Sequence, residues 1–289
     1  MNCALWILNW LKLWTVNSEL IKIVNFELKK GVLIMIYFIG AGPGAADLIT
    51  VRGRDLLERA DVVIYAGSLV SKDHLEYCRP DAQIYNSAHM TLEDVMEIMT
   101  MEERMGKLVV RLHTGDPSIY GAIREQMVEL DRVSIPYEVV PGVSSFTGAA
   151  AAINREFTLP GVTQTVILTR VEGRTPVPKT EDLEILASVG ASMAIFLSIS
   201  MIDKVVDKLK KGYKRNDVPI AVVERATWPD ERIIIGTLEN IADKVKEANI
   251  TKCAQILVGD FIDSDFEKSL LYDKSFSHMF REGQKDMND

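Results

Sequence analysis

Few residues in this chain could hold a metal or close a disulfide. Among its 289 residues are three cysteines, Cys3, Cys78 and Cys253, and four histidines, His74, His89, His113 and His278. The cysteine number is odd and no two cysteines stand in a Cys-x-x-Cys pair, which removes the usual redox and zinc frameworks. No His-Glu-x-x-His pair is present either, so no metal site is expected. Unpaired cysteines suit a reducing compartment, and the expectation is a cytoplasmic protein. Basic residues are in deficit: 33 Lys and Arg face 41 Asp and Glu, a net charge of −8. That balance excludes a broad electrostatic grip on nucleic acid, and an anionic ligand would need a local basic patch. Long apolar runs are also missing. Ala4–Val16 is interrupted by Asn9 and Lys12 and falls short of the roughly 20 residues of a membrane span. It also lacks a basic leader and a small-x-small cleavage site, so it is a poor signal peptide.

What remains is ordinary globular material. Hydrophobic residues make up 47% and charged residues 26%, so wholesale disorder is excluded. The length suits two domains of about 110–130 residues, each able to bury a core without staples.

Residues 1–34 stand apart. Trp6, Trp10 and Trp14 fall at i, i+4 and i+8, which is helical spacing. The segment reads as an extension outside the core: an amphipathic surface anchor, or an appendage upstream of a natural start at Met35.

From Met35 onward strands and helices alternate. Apolar, β-branched runs predict strands at Met35–Ile39, Asp61–Tyr65, Gln83–Tyr85, Lys107–Leu112 and Tyr137–Val140. Their nearly continuous apolar character is that of parallel strands covered on both faces. Helical patterns lie between them at Thr50–Arg59, Leu92–Met105, Tyr120–Asp131 and Ser144–Ile153. After a linker at Leu159–Gly161, a second series gives strands at Thr165–Thr169, Met193–Ser198, Ile220–Glu224, Arg232–Ile235 and Ala254–Val258. Its helices are expected at Glu181–Ala187, Met201–Lys211 and Leu238–Ala248. The expectation is an α/β protein of two domains, 35–158 and 159–262, with mainly parallel or mixed sheets and a loosely packed polar tail at 263–289.

Four loops carry the chemistry. Gly40-Ala41-Gly42-Pro43-Gly44 follows the first strand, where glycines let a ligand approach the backbone. It is not a dinucleotide fingerprint. Ala45 stands where the third glycine belongs, Pro43 has no N–H for a pyrophosphate, and the second strand ends Tyr65-Ala66-Gly67 with no acid for a ribose. No phosphate-binding Gly-x-x-x-x-Gly-Lys-Ser/Thr loop exists. A second loop, Thr114-Gly115-Asp116-Pro117-Ser118-Ile119-Tyr120-Gly121, follows Arg111-Leu112-His113. Here Asp116 reads as the cap of the next helix and His113 as a satisfied buried residue, or both line a pocket at the carboxyl end of the sheet. The third, Val139-Val140-Pro141-Gly142-Val143-Ser144-Ser145, starts a helix with Ser144 or Ser145 as N-cap. The fourth places Arg170, Arg174 and Lys179 close together around Gly173 and Pro176. It is either a solvated loop or a carboxylate-binding cluster, for which the bidentate guanidinium is suited.

Together these motifs resemble the tetrapyrrole (corrin and porphyrin) methyltransferases over roughly Ile36 to Ile262. The Ile64–Val70, Arg111–Gly121 and Gly173–Pro178 segments are most similar to the precorrin-4 C11-methyltransferases. Ala66 departs from the uroporphyrinogen methyltransferases, which carry Asp after the equivalent tyrosine. The resemblance implies S-adenosylmethionine as cosubstrate, held in a cleft between two α/β domains, and a homodimer. Carried over residue by residue, it implies cofactor contacts from Pro43, Thr114, Gly115, Asp116, Ile119, Ser144 and Ser145. Leu197 and Ala226 join them, where relatives often have Met and Gly. Arg111, Arg170 and Arg174 would meet the carboxylates of a precorrin-4 or cobalt-precorrin-4 substrate. His113 and Asp116 are candidates for a general base by position alone. Methylation at another ring position, a non-catalytic tetrapyrrole carrier and a nicotinamide oxidoreductase are the alternatives.

Overall fold

The computed structural model describes residues 35–282. The expectations for residues 1–34, and for 283–289 of the tail, lie outside the described residues. The chain divides into two compact units. One takes in the described residues up to Gly42 together with Ala46–Val143, the other Pro43–Ala45 and the described residues from Ser144 on.

The first unit is built on strands β1 (Ile36–Gly40), β2 (Val62–Tyr65), β3 (Gln83–Asn86), β4 (Val109–His113) and β5 (Tyr137–Val140), in the order β3-β2-β4-β1-β5. Every pairing is parallel. Every residue of β1, β2 and β4 is buried; β1 and β2 are apolar runs, as full burial requires, whereas β4 also buries Arg111 and His113.

Helices cover both faces because a right-twisted chain crosses over with one hand. α1 (Val51–Leu57) connects β1 leftward to β2 and buries Leu56 and Leu57 with Tyr37, Ile39, Val63 and Val110. α2 (Leu92–Arg104) and α3 (Ile123–Arg132) run the other way and bury Val95, Met99, Ile123 and Leu130 against Ile36, Phe38, Ile64 and Val109. Each large apolar side chain so buried contributes roughly 1.5–3 kcal/mol. Thr91 and Asp94 form a reciprocal capping box that starts α2. The connections leaving β1 and β4 therefore diverge, which opens a crevice at the carboxyl ends of these neighbouring strands.

The second unit contains α4 (Ser145–Ala152), β6 (Val166–Arg170), α5 (Leu183–Ala187), β7 (Ser192–Phe196), α6 (Ile202–Tyr213), β8 (Pro219–Glu224), β9 (Arg232–Thr237), α7 (Ile241–Glu247) and β10 (Ala254–Val258). Its sheet is mixed, in the order β6-β7-β10-β8-β9. Only β6 and β7 pair in parallel; the other pairings are antiparallel. One face packs against α5, α6 and α7, where Ile202, Val205, Val206 and Leu209 form a helical stripe over Met193, Ile195, Val222 and Ile256. α4 packs against β10, and Ser145 Oγ donates to Gln255 Oε1 at 3.0 Å.

Several boundaries differ from the sequence reading by a few residues, and three of the differences have a visible cause. The sequence places α4 in the first domain, but it packs in the second unit, whose main segment starts at Ser144, ahead of the Leu159–Gly161 linker. α3 begins at Ile123 rather than Tyr120, because Tyr120 and Ala122 have φ of +54° and +50°. β7 stops at Phe196, because Leu197 turns to a φ of +53°.

Candidate active site

In the first unit three loops meet on glycine. A Cβ added to Gly40 would lie 2.5 Å from the Gly115 carbonyl oxygen, and one added to Gly142 would lie 2.2 Å from the same atom. No side chain fits at either position. Gly42 and Gly115 exchange N–H···O bonds at 3.3 and 2.8 Å, and Ala41 N–H donates to the His113 carbonyl at 2.7 Å. Gly42 and Gly115 have φ of +87° and +60°, a region favouring glycine. The loops after β1, β4 and β5 are thus drawn together at the crevice, with bare backbone at their junction.

Asp116 fastens this junction. Its Oδ2 accepts from Gly142 N–H at 3.0 Å, and its Oδ1 accepts from Ser118 N–H at 2.8 Å and from the Ser118 hydroxyl. Burial alone would raise its pKa, but the bonds from Ser118 and Gly142 hold the carboxyl below its ordinary value. The expected role as helix cap is corrected here: Asp116 caps the turn at Ser118, and Ala122 occupies the N-cap position of α3. Thr114 and Ile119 are half-buried in the same loop.

Arg111 and His113 project from one face of β4, two residues apart. Both are buried, at 7% and 4% exposure. The guanidinium donates to the Ile64 carbonyl at 3.1 Å, and burial lowers its pKa to about 10. His113 lies 6.0 Å from the Phe38 ring, centroid to centroid. Burial, reinforced by the Arg111 charge, lowers its pKa to about 3, so the imidazole is neutral. Arg111 Nε and His113 Nε2 are buried without a hydrogen-bond partner.

The second unit gathers another group at one end of its sheet. β7 and β8 both run antiparallel to β10, so the loops that follow them, with Leu197 and Ala226, leave at the same end. Leu197 is 69% exposed despite its left-handed backbone, a strained arrangement for a side chain with a Cβ. Ser145 reaches this end through Gln255, whose amide is fixed by the Ile195 carbonyl at 3.0 Å. Ser144 holds the N-cap position of α4, but its side chain makes no capping bond.

Pro43–Ala45 belongs to this group. Thr227 Oγ1 accepts from Ala45 N–H at 3.0 Å, and Trp228 Nε1 donates to the Pro43 carbonyl at 3.1 Å. A Cβ on Gly44 would sit 2.1 Å from Trp228 Cδ1, and one on Gly148 2.7 Å from Pro43 Cβ. The Arg225 guanidinium stacks 4.0 Å from the Trp228 ring centre. Arg225 and Thr227, with φ of +50° and +69°, carry backbone strain at the turn that holds Pro43. Thr227 and Trp228 escaped the sequence reading as site residues because Pro43 and Trp228 are 185 positions apart; the proline-glycine turn alone gives no sign of a partner.

The basic cluster is divided. Arg170 donates to the carbonyls of Thr175 at 3.2 Å and Pro176 at 2.8 Å. Its guanidinium braces its own loop. Arg174 is exposed on that loop. Among the described residues no three His, Cys, Asp or Glu side chains form a metal cluster, and no helix is long and apolar enough to cross a membrane.

The parallel sheet with its glycine-lined crevice and the mixed sheet with its strained loops are those of a known group. The family of tetrapyrrole (corrin/porphyrin) methylases matches residues 35–242, and the chain belongs to it. A cobalt-precorrin-4 C(11)-methyltransferase from Methanocaldococcus jannaschii is 52% identical over 251 residues, covering 86% of this chain and 97% of that protein. The X-ray structure of a cobalt precorrin-4 methyltransferase of cobalamin biosynthesis superposes with a TM-score of 0.78 at 48% identity, covering 80% of this chain and 97% of that one. A Thermus thermophilus uroporphyrin-III C-methyltransferase complexed with S-adenosylhomocysteine gives a TM-score of 0.67 at 25% identity, covering 79% and 98%.

Proposed function

We propose that this chain transfers a methyl group from S-adenosylmethionine to C11 of precorrin-4 or its cobalt complex, in corrin biosynthesis. The observation that carries the reading is the junction of Gly40, Gly115 and Gly142 at the carboxyl ends of β1, β4 and β5. It lies where open α/β sheets take their ligands, and the lack of side chains at Gly40 and Gly142 lets the three loops pack backbone to backbone there. The likeness to the cobalt-precorrin-4 C(11)-methyltransferase and to the cobalt precorrin-4 methyltransferase structure supports the substrate, and the relative with S-adenosylhomocysteine supports the cosubstrate.

The sulfonium of S-adenosylmethionine supplies an electrophilic methyl group. The protein contributes alignment of that methyl with a ring carbon, and exclusion of water. In the first unit Thr114, Gly115, Asp116 and Ile119 would line the cosubstrate. In the second, Pro43, Ser144, Ser145, Leu197 and Ala226 would do so. Arg111, Arg170 and Arg174 would meet substrate carboxylates, and Arg170 also braces the loop that presents Arg174. Asp116 is committed to three hydrogen bonds, and His113 at about 3 is a weak base. Both groups therefore suit positioning better than proton removal.

The assembly inferred is a cytoplasmic homodimer. Edge strand β9, with Ile233 and Ile235 at 40% and 51% exposure, is consistent with a covered surface, and light scattering on the purified chain tests it. For activity, the chain is mixed with S-adenosylmethionine and precorrin-4, with and without cobalt, and the product is examined by mass spectrometry and NMR. One added methyl at C11 is the expected result. A methyl at another carbon, or tetrapyrrole binding without transfer, would replace this reading.

A further inference from the structure

His74 lies in a short 3-10 segment, Lys72–Tyr77, that follows β2, and is 1% exposed. Both of its ring nitrogens face backbone carbonyl oxygens. Nε2 is 2.7 Å from the Ala41 oxygen and Nδ1 is 3.1 Å from the Ser71 oxygen. A carbonyl oxygen only accepts hydrogen bonds. In either neutral tautomer one ring nitrogen would present its lone pair to an oxygen, which is repulsive. The shorter contact, Nε2 to the Ala41 oxygen, is the one a ring N–H must fill.

Ala41 is the second residue of the Gly40–Gly44 turn. Its N–H is held by the His113 carbonyl at 2.7 Å, so its backbone is gripped from both sides. The next residue, Gly42, makes the paired bonds to Gly115. The His74 ring therefore helps fix where the turn after β1 sits against the loop after β4. Nothing in the glycine-rich motif itself supplies this support, because Ala41 has no polar side chain.

We infer that His74 is a positioning residue for the cosubstrate, its buried ring bridging the Ala41 and Ser71 carbonyls and setting the glycine-rich turn. This rests on the reading that S-adenosylmethionine binds at that turn.

The test has two parts. Long-range proton–nitrogen NMR on the folded wild-type chain reads the ring directly: Nε2 of His74 should carry a proton hydrogen-bonded to the Ala41 carbonyl, and an unprotonated Nε2 overturns the contact. Calorimetry then follows S-adenosylhomocysteine binding to wild type, His74→Leu and His74→Gln. His74→Leu, which removes the ring N–H, should weaken binding by at least about tenfold. His74→Gln, which can still donate to one carbonyl, should recover part of the loss. Tetrapyrrole binding should change less than twofold in both. If His74→Leu fails to fold, His74→Gln and the wild-type spectrum carry the test. Unchanged S-adenosylhomocysteine affinity in folded variants overturns the positioning role and leaves the proposed function standing. A wild-type chain that does not bind S-adenosylhomocysteine overturns both.

Discussion

Asp116 Oδ2 accepts a hydrogen bond from the backbone N–H of Gly142 at 3.0 Å. The loop after β4 is thereby tied to the loop after β5, across a junction too tight for any side chain on Gly142. Asp116→Asn keeps the shape of the side chain but turns one accepting oxygen into a donor. That group would face either Gly142 N–H or Ser118 N–H, both of which donate. Stability should fall by roughly 1–3 kcal/mol, as expected when a partly buried donor loses its acceptor. S-adenosylhomocysteine affinity should fall with it, because the loops would separate. Urea denaturation and calorimetry on the same variant check both, and a variant as stable as wild type would show that the tie is dispensable.

His113 makes stability depend on pH in a defined direction. Its pKa is about 3 in the folded chain against an ordinary 6.5. Between these values the unfolded chain binds the extra proton and the folded chain does not, so stability rises with pH across this window. The full contribution is kept above pH 6.5 and is lost progressively on acidification. At about 1.4 kcal/mol per pH unit, roughly 2 kcal/mol should disappear between pH 7 and pH 5. His113→Asn should show a correspondingly flatter profile. Equal slopes for the two proteins in paired urea titrations would mean that His113 takes up its proton without unfolding.

Much of the first unit could be read from the residues, because β1 and β2 are apolar throughout, β4 is broken only by Arg111 and His113, and Gly40–Gly44 interrupts the pattern abruptly. The second sheet was less legible: an apolar run such as Ala254–Val258 has the same composition whether its neighbours run parallel or antiparallel. Tyr120 and Ala122 fit a helical pattern, and their left-handed backbone follows from tertiary packing that local sequence does not encode. Arg170 looked like a ligand group because charge is visible in sequence, whereas its capture by the Thr175 and Pro176 carbonyls depends on how the loop folds back. His74, isolated among ordinary helix-forming residues, gave no sign of its contact with Ala41.

Trp228 and Gly44 should prove energetically coupled. A methyl added at Gly44 would meet the indole at 2.1 Å and the Ala226 carbonyl at 2.8 Å, so Gly44→Ala must displace the 225–228 turn. Trp228→Leu on its own loses the bond to the Pro43 carbonyl and the stacking of Arg225, together worth about 1–2 kcal/mol. In the Trp228→Leu background the added methyl has more room, and Gly44→Ala should cost less than in wild type. A double-mutant cycle by chemical denaturation should give a coupling of at least about 0.5 kcal/mol. Strict additivity would mean that the turn yields without involving the indole.

Arg170 and Arg174 should separate cleanly by what their loss affects. Arg170 braces its loop through backbone carbonyls, so Arg170→Ala should loosen residues 171–178, measurable as faster amide hydrogen exchange there. Arg174 is exposed, and its removal should leave the stability of the fold unchanged. If Arg174 grips a substrate carboxylate, Arg174→Ala should lose roughly 1.5–3 kcal/mol of tetrapyrrole binding. S-adenosylhomocysteine affinity should hardly change, since the proposed cosubstrate contacts lie on other loops. Raising the salt concentration should weaken wild-type tetrapyrrole binding in the same sense, because an exposed ion pair is screened. Arg174→Lys should recover only part of the loss, as it restores the charge without the bidentate fork. Paired titrations of each ligand against the folded variants decide the matter. Wild-type tetrapyrrole affinity in Arg174→Ala would show that Arg174 does not grip the substrate, leaving Arg111 and Arg170 as the remaining candidates for its negative charge.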